Sequence, residues 1–346
     1  MRIVHLILTR RFAGSERYAV ELANAQAQAG HEVTMVLRRV ATEDRPDAIA
    51  HRLDPAVRVE VVGLLSPVWQ ARRIVRRLHP DVAHAHLSGG CRALHGLRGE
   101  CLRVASLHLA YKARQHADLD ALVAIAPWQL PAIPPALRAR SVQIDNWTRA
   151  RQAAPEARAR VRAGARIAPD AFVFGALGRV ERSKGLDVLV EAWKRADLPV
   201  DARLVIVGQG EAFDALRKAA PREVVMPGFV SDPQDWMAAF DVFVSAARRE
   251  PFGLVLLEAM GARLPILATA SEGARHLSGV IGTPLLPIDD PAALAQALRE
   301  TFAQRPAPRD YPMERFGLAA RVADIEAFYR RELAVSGKGE TPPEPA

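Results

Sequence analysis

Two charged segments in the second half of the chain, Arg179–Gly185 and Glu250–Glu258, could bind an anionic ligand. In the first, Gly178 allows a tight turn, and Arg179 and Lys184 place two cations beside the start of a helix. Backbone N–H donors, the helix dipole and mobile positive charge together suit a diphosphate. Taken alone, the segment fits an ordinary strand-to-helix turn with solvent-facing side chains better, so the prediction depends on what lies beside it.

The second segment places two carboxylates, Glu250 and Glu258, on either side of a Pro-Phe-Gly loop. A helix that opens there leaves the N–H groups of residues 252–255 free for phosphate or sugar oxygens. Glu258 lies among apolar neighbours, where a carboxylate is costly unless it accepts hydrogen bonds. Vicinal ribose hydroxyls would supply them, and a structural glutamate satisfied by the protein is the alternative.

A weaker signal is Val207-Gly208-Gln209-Gly210, at the end of another apolar run. Its glycines would allow a ligand to approach the backbone at a strand tip. The dinucleotide fingerprint is incomplete because Phe213 stands where the third glycine belongs. A plain strand-to-helix turn is at least as good an interpretation.

Short apolar runs alternate with helical patterns through the whole chain, which is typical of parallel sheets covered on both faces. The pattern restarts near residue 171, which predicts two α/β domains that meet across a cleft, with ligands at the carboxyl ends of the strands. The boundaries expected are 1–165 for the first domain and 166–311 for the second, with the Arg- and Ala-rich stretch 148–166 as linker. An amphipathic helix over 312–333 should pack back on the first domain, and the polar, Pro-rich tail 334–346 should be disordered.

Composition excludes several classes of protein. The 346 residues are 49% hydrophobic and 25% charged, which is neither a disordered chain nor a fibrous repeat. No apolar run reaches the roughly 20 residues that span a bilayer, and the N-terminal run reads as a first strand rather than a signal peptide. Two cysteines, Cys91 and Cys101, favour a reducing cytoplasm.

Positive charge is concentrated in the first half of the chain. The net charge is +8, and residues 1–165 hold 25 Lys and Arg against 14 Asp and Glu. This imbalance favours an anionic partner, although a general abundance of arginine explains it equally well.

At this point the sequence resembles the family 4 retaining glycosyltransferases, whose GT-B architecture consists of two facing Rossmann-like domains. The combination of Arg-x4-Lys-Gly with Glu-x7-Glu is specific, and the resemblance covers nearly the whole chain. The motifs that carry it are AGSERYAVELA, DVAHAH, SLH, GRVERSKG, VGQG, MPGFV, EPFGLVLLEAMG and RFGLAARV.

The resemblance implies a set of donor-binding residues. Arg179 and Lys184 should bind the donor diphosphate and stabilise the charge that develops on it. Glu250 and the amides of residues 252–254 should hold the sugar and the distal phosphate, and Glu258 the ribose. The donor-binding residues expected are Gly14, Gly178, Arg179, Lys184, Gly208, Phe229, Val230, Glu250, Phe252, Gly253, Leu254 and Glu258.

The first half should then supply the acceptor side. His108, at a strand end, is expected to face the reacting centre, unless it is only a wall residue, and Glu16 should lie close behind Gly14. As a hypothesis, Arg10 and Arg11 fit a phosphorylated glycolipid or lipopolysaccharide core at an anionic membrane surface. Departures from the family pattern, among them Trp147 in place of a glycine and Leu109 after the histidine, put the identity of the acceptor in doubt.

The reaction expected is transfer of a hexose from a nucleoside diphosphate sugar to a hydroxyl, with retention of configuration. His108, Arg179, Lys184 and Glu250 are the expected catalytic residues. With two fixed cations and no acidic cluster, no metal or other cofactor is expected. The protein is expected to lie in the cytoplasm or at the inner face of the membrane. A sugar-nucleotide epimerase or phosphorylase-like protein on the same architecture is the alternative, and a basic nucleic-acid-binding protein is a weaker one because no recognised motif supports it.

Two further clusters could hold a metal ion but are better explained otherwise. Asp118-Leu119-Asp120 matches an acidic metal-binding triplet, yet it directly precedes an apolar strand, where a polar connection is expected anyway. His84 and His86 share one face of a strand, and without a third ligand nearby they are expected to be core or wall residues.

Overall fold

The computed structural model describes residues 1–10, 12–149 and 153–337. The chain divides into two compact units, one formed by Met1–Trp147 and the segment that begins at Phe316, the other by Thr148–Arg315. Each contains one parallel β-sheet with helices on its faces. The predicted fold class of two Rossmann-like α/β domains is confirmed.

The first unit contains seven parallel strands in the order β3-β2-β1-β4-β5-β6-β7. Chain order reverses between β1 and β4, which pair along their length, Ile7 beside His86. The loops that follow these two strands therefore run to opposite sides and leave a crevice at their carboxyl ends. The strands are β1 (Arg2–Ile7), β2 (Glu32–Arg38), β3 (Arg58–Val62), β4 (Val82–His86), β5 (Leu102–Leu107), β6 (Ala121–Ala124) and β7 (Val142–Gln143).

Helices cover both faces of this sheet and bury its apolar side chains in two clusters. They are α1 (Gly14–Gln28), α2 (Pro67–Leu78), α3 (Leu87–Leu94), α4 (Ala113–His116) and α5 (Pro135–Ala139).

The second unit has five parallel strands in the order β10-β9-β8-β11-β12. Here the reversal lies between β8 and β11, so the loop after β8 lies beside the loop after β11. These loops carry the two charged segments. The strands are β8 (Phe172–Leu177), β9 (Ala202–Val207), β10 (Val225–Gly228), β11 (Val242–Ser245) and β12 (Ile266–Ala268).

Helices also accompany the five strands of the second unit. They are α6 (Ala157–Gly164), α7 (Leu186–Ala196), α8 (Phe213–Ala219), α9 (Pro233–Ala239), α10 (Leu254–Gly261), α11 (Glu272–Ile281) and α12 (Pro291–Gln304).

The predicted domain boundary after residue 165, with 148–166 as linker, is wrong because α6 belongs to the second unit. The buried guanidinium of Arg162 donates to the carbonyls of Ala239 and Ala171, and pairs with Asp241 at 2.8 Å. An arginine held by three partners of one unit fixes its helix there, so the units divide between Trp147 and Thr148.

The closing helix, α13 (Leu318–Val335), is part of the first unit and packs against α1 and β5. Its Tyr329 is fully buried and hydrogen-bonds His84, and Glu332 pairs with Arg140 at 2.9 Å. The tail predicted to be disordered from residue 334 is therefore helical at its start, and residues 338–346 lie outside the described residues.

Candidate functional site

The loop after β8 takes a shape that requires glycine at its end. Gly185 has φ +62°, and a Cβ there would lie 1.9 Å from the carbonyl oxygen of Ala246. The loop is thereby pressed against the segment that follows β11. Only a residue without a side chain permits this approach, which brings the cationic loop to the segment carrying Glu250.

Hydrogen bonds tie the two segments together. The Ser183 carbonyl accepts the N–H groups of Arg248 and Arg249 at 2.9 and 3.1 Å. The Arg248 guanidinium makes a bidentate pair with Asp187, both bonds at 2.7 Å, and these bonds raise its pKa. It also donates to the Arg182 carbonyl at 2.9 Å. Sequence reasoning missed Arg248 and Asp187. The two residues lie far apart in the chain, so no local pattern indicates that they pair.

Lys184 and Glu250 form the ion pair at the centre of this site. Lys184 Nζ lies 2.6 Å from Glu250 Oε2, and the side chains are only 22% and 12% exposed. Both line an open depression at the carboxyl ends of β8 and β11, together with Gly178, Ser245 and Val255. A lysine ammonium has three N–H donors, so one bond to Glu250 leaves Lys184 able to bind an anion in the depression.

The start of α10 borders the same depression. Gly253 has φ +96°, and its carbonyl accepts the N–H groups of Leu256 and Leu257 at 2.9 and 3.2 Å. The amides of Gly253 and Leu254 precede these first helical bonds. The helix dipole places partial positive charge at this end, which favours an anion.

Helix α11, which the sequence analysis did not identify, contacts the loop that carries Glu250. The N–H of Gly273 donates to the Glu250 carbonyl at 2.7 Å, and the Glu250 N–H donates to Glu272 at 3.2 Å. A Cβ at position 273 would lie 2.2 Å from the Phe252 carbonyl oxygen. The backbone around Glu250 is therefore held on both sides.

Four charged side chains are expected to bind the donor: Arg179, Lys184, Glu250 and Glu258. Of these four, the structure brings together Lys184 and Glu250. Arg179 belongs to the same loop, but its side chain is 71% exposed and pairs with Glu181 at 3.3 Å. Glu258 is half-buried on α10. Neither Arg179 nor Glu258 is among the described residues that line the depression.

The glycines after β9 allow two loops of the second unit to approach each other closely. A Cβ at Gly208 would lie 1.8 Å from the Gly178 carbonyl oxygen, and one at Gly210 would lie 2.3 Å from that of Val180. These close approaches join two loops of the protein, and the donor-binding role expected of Gly208 stays a prediction. Phe229 and Val230 follow the edge strand β10, where the Phe229 ring is largely exposed.

In the first unit, His108 follows β5 and is partly exposed. It lines a second depression with Ser88 and Lys112, and its Nε2 lies 3.2 Å from His86 Nδ1. Burial lowers its pKa from 6.5 to about 4, so the ring is neutral at physiological pH. Tyr18 packs edge-on against it, 4.9 Å between ring centroids.

The other predicted acceptor-side residues lie in the loop after β1. Gly14 is the exposed first residue of α1 and Arg10 is exposed, whereas Arg11 lies outside the described residues. Glu16, also expected on the acceptor side, caps a helix in this structure, and its acceptor-side role stays a prediction. It is buried, and its carboxylate accepts the Ala13 N–H at 3.1 Å, which caps the start of α1.

The acidic triplet is structural. Arg103 is completely buried, and its guanidinium donates to Asp120 at 2.8 and 3.1 Å and to Asp118 at 2.9 Å. Both carboxylates are therefore engaged as counter-ions of a buried cation.

Sequence reasoning missed a third histidine beside His84 and His86. His5 on β1 is the register partner of His84 on β4, and ring nitrogens of the three buried residues lie within 4.8 Å of one another. His84 bonds Ser106 Oγ at 2.9 Å and the Tyr329 hydroxyl. The parallel pairing of β1 with β4, which brings His5 in, is invisible in the local pattern.

Comparisons of the sequence with known proteins indicate the family of this chain. Residues 12–173 match the model described as Glycosyltransferase Family 4, and residues 171–304 match that of Glycosyl transferases group 1. The chain is 27% identical to the lipopolysaccharide core biosynthesis glycosyltransferase LpsD of Rhizobium meliloti (strain 1021), over 86% of this chain and 87% of LpsD. It is also 27% identical to LpsE of the same organism, over 88% and 89% of the two chains.

Among solved structures, Anabaena Alr3699/HepE in complex with UDP and glucose is similar, with a TM-score of 0.78 and 20% identity. The alignment covers 94% of this chain and 98% of that one. This likeness shows the fold, the two Rossmann-like domains of the GT-B architecture. Since the two family models together span residues 12–304, the chain belongs to the family 4 glycosyltransferases.

Proposed function

We propose that this glycosyltransferase moves a hexose from a nucleoside diphosphate sugar to a hydroxyl of a lipopolysaccharide-type glycolipid, with retention of configuration. The observation that carries the proposal is the Lys184–Glu250 pair beside the first amides of α10. A cation and helix-end N–H groups at one strand edge suit a diphosphate, and the carboxylate suits sugar hydroxyls. The names of LpsD and LpsE support the acceptor class, and the UDP complex of HepE supports the donor class.

Lys184 would act on the leaving group. As the glycosidic bond breaks, negative charge grows on the departing diphosphate, and a fixed cation stabilises that charge more than it stabilises the bound donor. One such donor is worth about 3 kcal/mol of the activation barrier. Glu250 would hold the sugar, and attack of the acceptor hydroxyl from the face that the leaving group departs gives retention.

A thermal-shift panel of UDP-, GDP- and ADP-sugars tests the donor class. The true donor raises the free energy of unfolding by RT ln(1 + [L]/Kd), so the midpoint measured with it should stand apart from those measured with the other bases. A flat response to every nucleotide sugar would contradict the proposal. The coupling constant of the anomeric proton in the product then tests retention.

Metal independence is part of the proposal. The positive charge beside the proposed diphosphate site comes from Lys184 and the start of α10, and the acidic triplet is occupied by Arg103. Transfer should therefore continue in excess chelator. Loss of transfer that magnesium or manganese restores would contradict this part of the proposal.

We further propose that the enzyme works in the cytoplasm at an anionic membrane surface. Leu64, Leu65 and Trp69 are 73%, 84% and 54% exposed at the start of α2. Arg73 lies 4.8 Å from the Trp69 ring centroid. Apolar side chains beside a basic helix suit the interface of an anionic bilayer. Two buried free cysteines fit a reducing compartment.

Vesicle binding tests the membrane proposal. In the described residues no helix is both long and apolar enough to cross a bilayer. Leu64→Ser with Leu65→Ser should weaken binding to phosphatidylglycerol vesicles, and Arg10→Gln should weaken it at low salt only. Val200→Ser, at an exposed position of the second unit, is the matched control. Equal binding by all variants would contradict the assignment.

A further inference from the structure

A row of imidazole rings connects the core of the first unit with the depression at His108. His5 on β1 and His86 on β4 are fully buried, and their rings stack with centroids 5.4 Å apart. His108, the next ring in the row, follows the adjacent strand β5. Gln26 of α1, also fully buried, closes the inner end.

Consecutive hydrogen bonds join these four side chains. Gln26 Oε1 lies 2.7 Å from His5 Nε2, and His5 Nδ1 lies 3.1 Å from His86 Nε2. His86 Nδ1 lies 3.2 Å from His108 Nε2. Each buried ring therefore uses both of its nitrogens within the row.

The amide oxygen of Gln26 fixes the direction of the whole row. An amide oxygen only accepts, so His5 Nε2 must carry its proton and donate. A neutral imidazole has one donor and one acceptor, so His5 Nδ1 accepts from His86 Nε2, and His86 Nδ1 accepts from His108 Nε2. His108 is then left with an unprotonated Nδ1.

The rings are held in the neutral form that this order requires. Burial lowers the pKa of His5 to about 4. Burial also lowers the pKa of His86 well below its usual value, and the neighbouring histidines add to this effect. His84, the remaining ring of the cluster, is already satisfied by Ser106 and the Tyr329 hydroxyl.

We propose that Gln26, His5 and His86 are positioning residues that set the tautomer of His108, so that Nδ1 is presented as a hydrogen-bond acceptor for a hydroxyl of a substrate in the His108 depression. The ligand class is a sugar or glycolipid hydroxyl, and this part rests on the proposed function. The three residues touch no substrate and act only through His108. A histidine whose proton lay on Nδ1 would offer a donor instead, and would favour a different set of ligand groups.

Nitrogen NMR of the free protein with ¹⁵N-labelled histidine tests the order directly, because protonated and unprotonated ring nitrogens have well-separated shifts. The resonances of His108 are assigned by loss in His108→Gln. The expected result is a protonated Nε2 and an unprotonated Nδ1. The reverse assignment overturns the proposal, whether or not the protein transfers sugar.

Two variants of similar size then separate positioning from packing. Gln28→Met, at an exposed position of the same helix, is the matched control and should preserve both the tautomer and transfer. Gln26→Met removes the acceptor, so the tautomers of His108 should mix, and kcat/KM for transfer should fall 3- to 10-fold with an unchanged Kd for the nucleotide sugar. Unchanged kcat/KM in a Gln26→Met protein whose tautomers have mixed overturns the proposal, as does an equal loss of the tautomer order in Gln28→Met.

Zinc titration tests the competing interpretation, in which His5, His84 and His86 hold a metal ion. Since each ring nitrogen of His5 and His86 is already bonded, Zn²⁺ should leave the histidine resonances in place. Stoichiometric binding that shifts His5, His84 and His86 together would make this a metal centre and overturn the proposal. Absence of any transfer by the wild-type protein would instead count against the proposed function while the tautomer order stood.

Discussion

Replacing the members of the Lys184–Glu250 pair one at a time should change nucleotide binding in opposite directions. Lys184→Met removes the cation that faces the depression, whereas Glu250→Gln removes the anion 2.6 Å from it. A structural ion pair would respond alike to both changes. A pair that binds a diphosphate would not, because the ligand is attracted by one partner and repelled by the other.

The magnitudes follow from the burial of the pair. Hydrogen bonds to charged groups contribute about 1.5–3 kcal/mol, so Lys184→Met should weaken UDP binding about 10- to 150-fold. It also leaves a carboxylate that is 12% exposed without its counter-ion, at a cost of about 1–3 kcal/mol in the free energy of unfolding. Glu250→Gln should bind UDP at least as tightly as the wild type, yet transfer sugar far more slowly.

Calorimetric titration with UDP, alongside urea unfolding of each variant, measures both quantities. Lys194→Met is the matched control, since Lys194 is an exposed lysine of the same unit on α7. Equal loss of UDP affinity in both variants, or no change in either, would refute the reasoning and reduce the pair to a structural contact.

Three further predictions concern the scaffold. Gly208→Ala should lower the thermal midpoint in differential scanning calorimetry, because its Cβ would lie 1.8 Å from the Gly178 carbonyl oxygen at φ +137°; an unchanged midpoint would contradict the packing. Asp120→Asn should cost about 3–5 kcal/mol in urea unfolding, because Arg103 is buried, and a smaller loss than Asp118→Asn would show the pairing to be wrong. Burial lowers the pKa of His5 from 6.5 to about 4, so the unfolded chain binds more protons between these values, and His5 alone removes about 3 kcal/mol of the stability present above pH 6.5 as the pH falls towards 4. The lowered pKa values of His84, His86, His108 and His116 act in the same direction, so His5→Gln should make the fall of the urea midpoints shallower without abolishing it, and an unchanged slope would contradict the shift.

Local pattern predicted the elements that position the site. Apolar strand runs with Gly and charged residues after them located β8, β11 and the start of α10 to within about two residues, because the period of burial is written in the sequence. The pair Lys184 and Glu250 was predicted on family resemblance, and the reversal of strand order between β8 and β11 is what brings them together.

What the sequence left open depends on contacts across long chain separations. His5 joins His84 and His86 only through the pairing of β1 with β4, and α6 joins the second unit only through Arg162. Gly208 shows a further limit. A glycine needed for close approach looks the same in the sequence whether the approaching group is a ligand or another loop.

Hydrogen–deuterium exchange with and without a nucleotide sugar tests the central claim most directly, namely that the depression between the β8 loop and the start of α10 holds the donor diphosphate. Saturating ligand should slow exchange in peptides covering 178–185 and 252–255, and leave those covering α12 unchanged. Lys184→Met should lose this protection at the same concentration. Binding of the nucleotide sugar with no slowing in either segment would contradict the account.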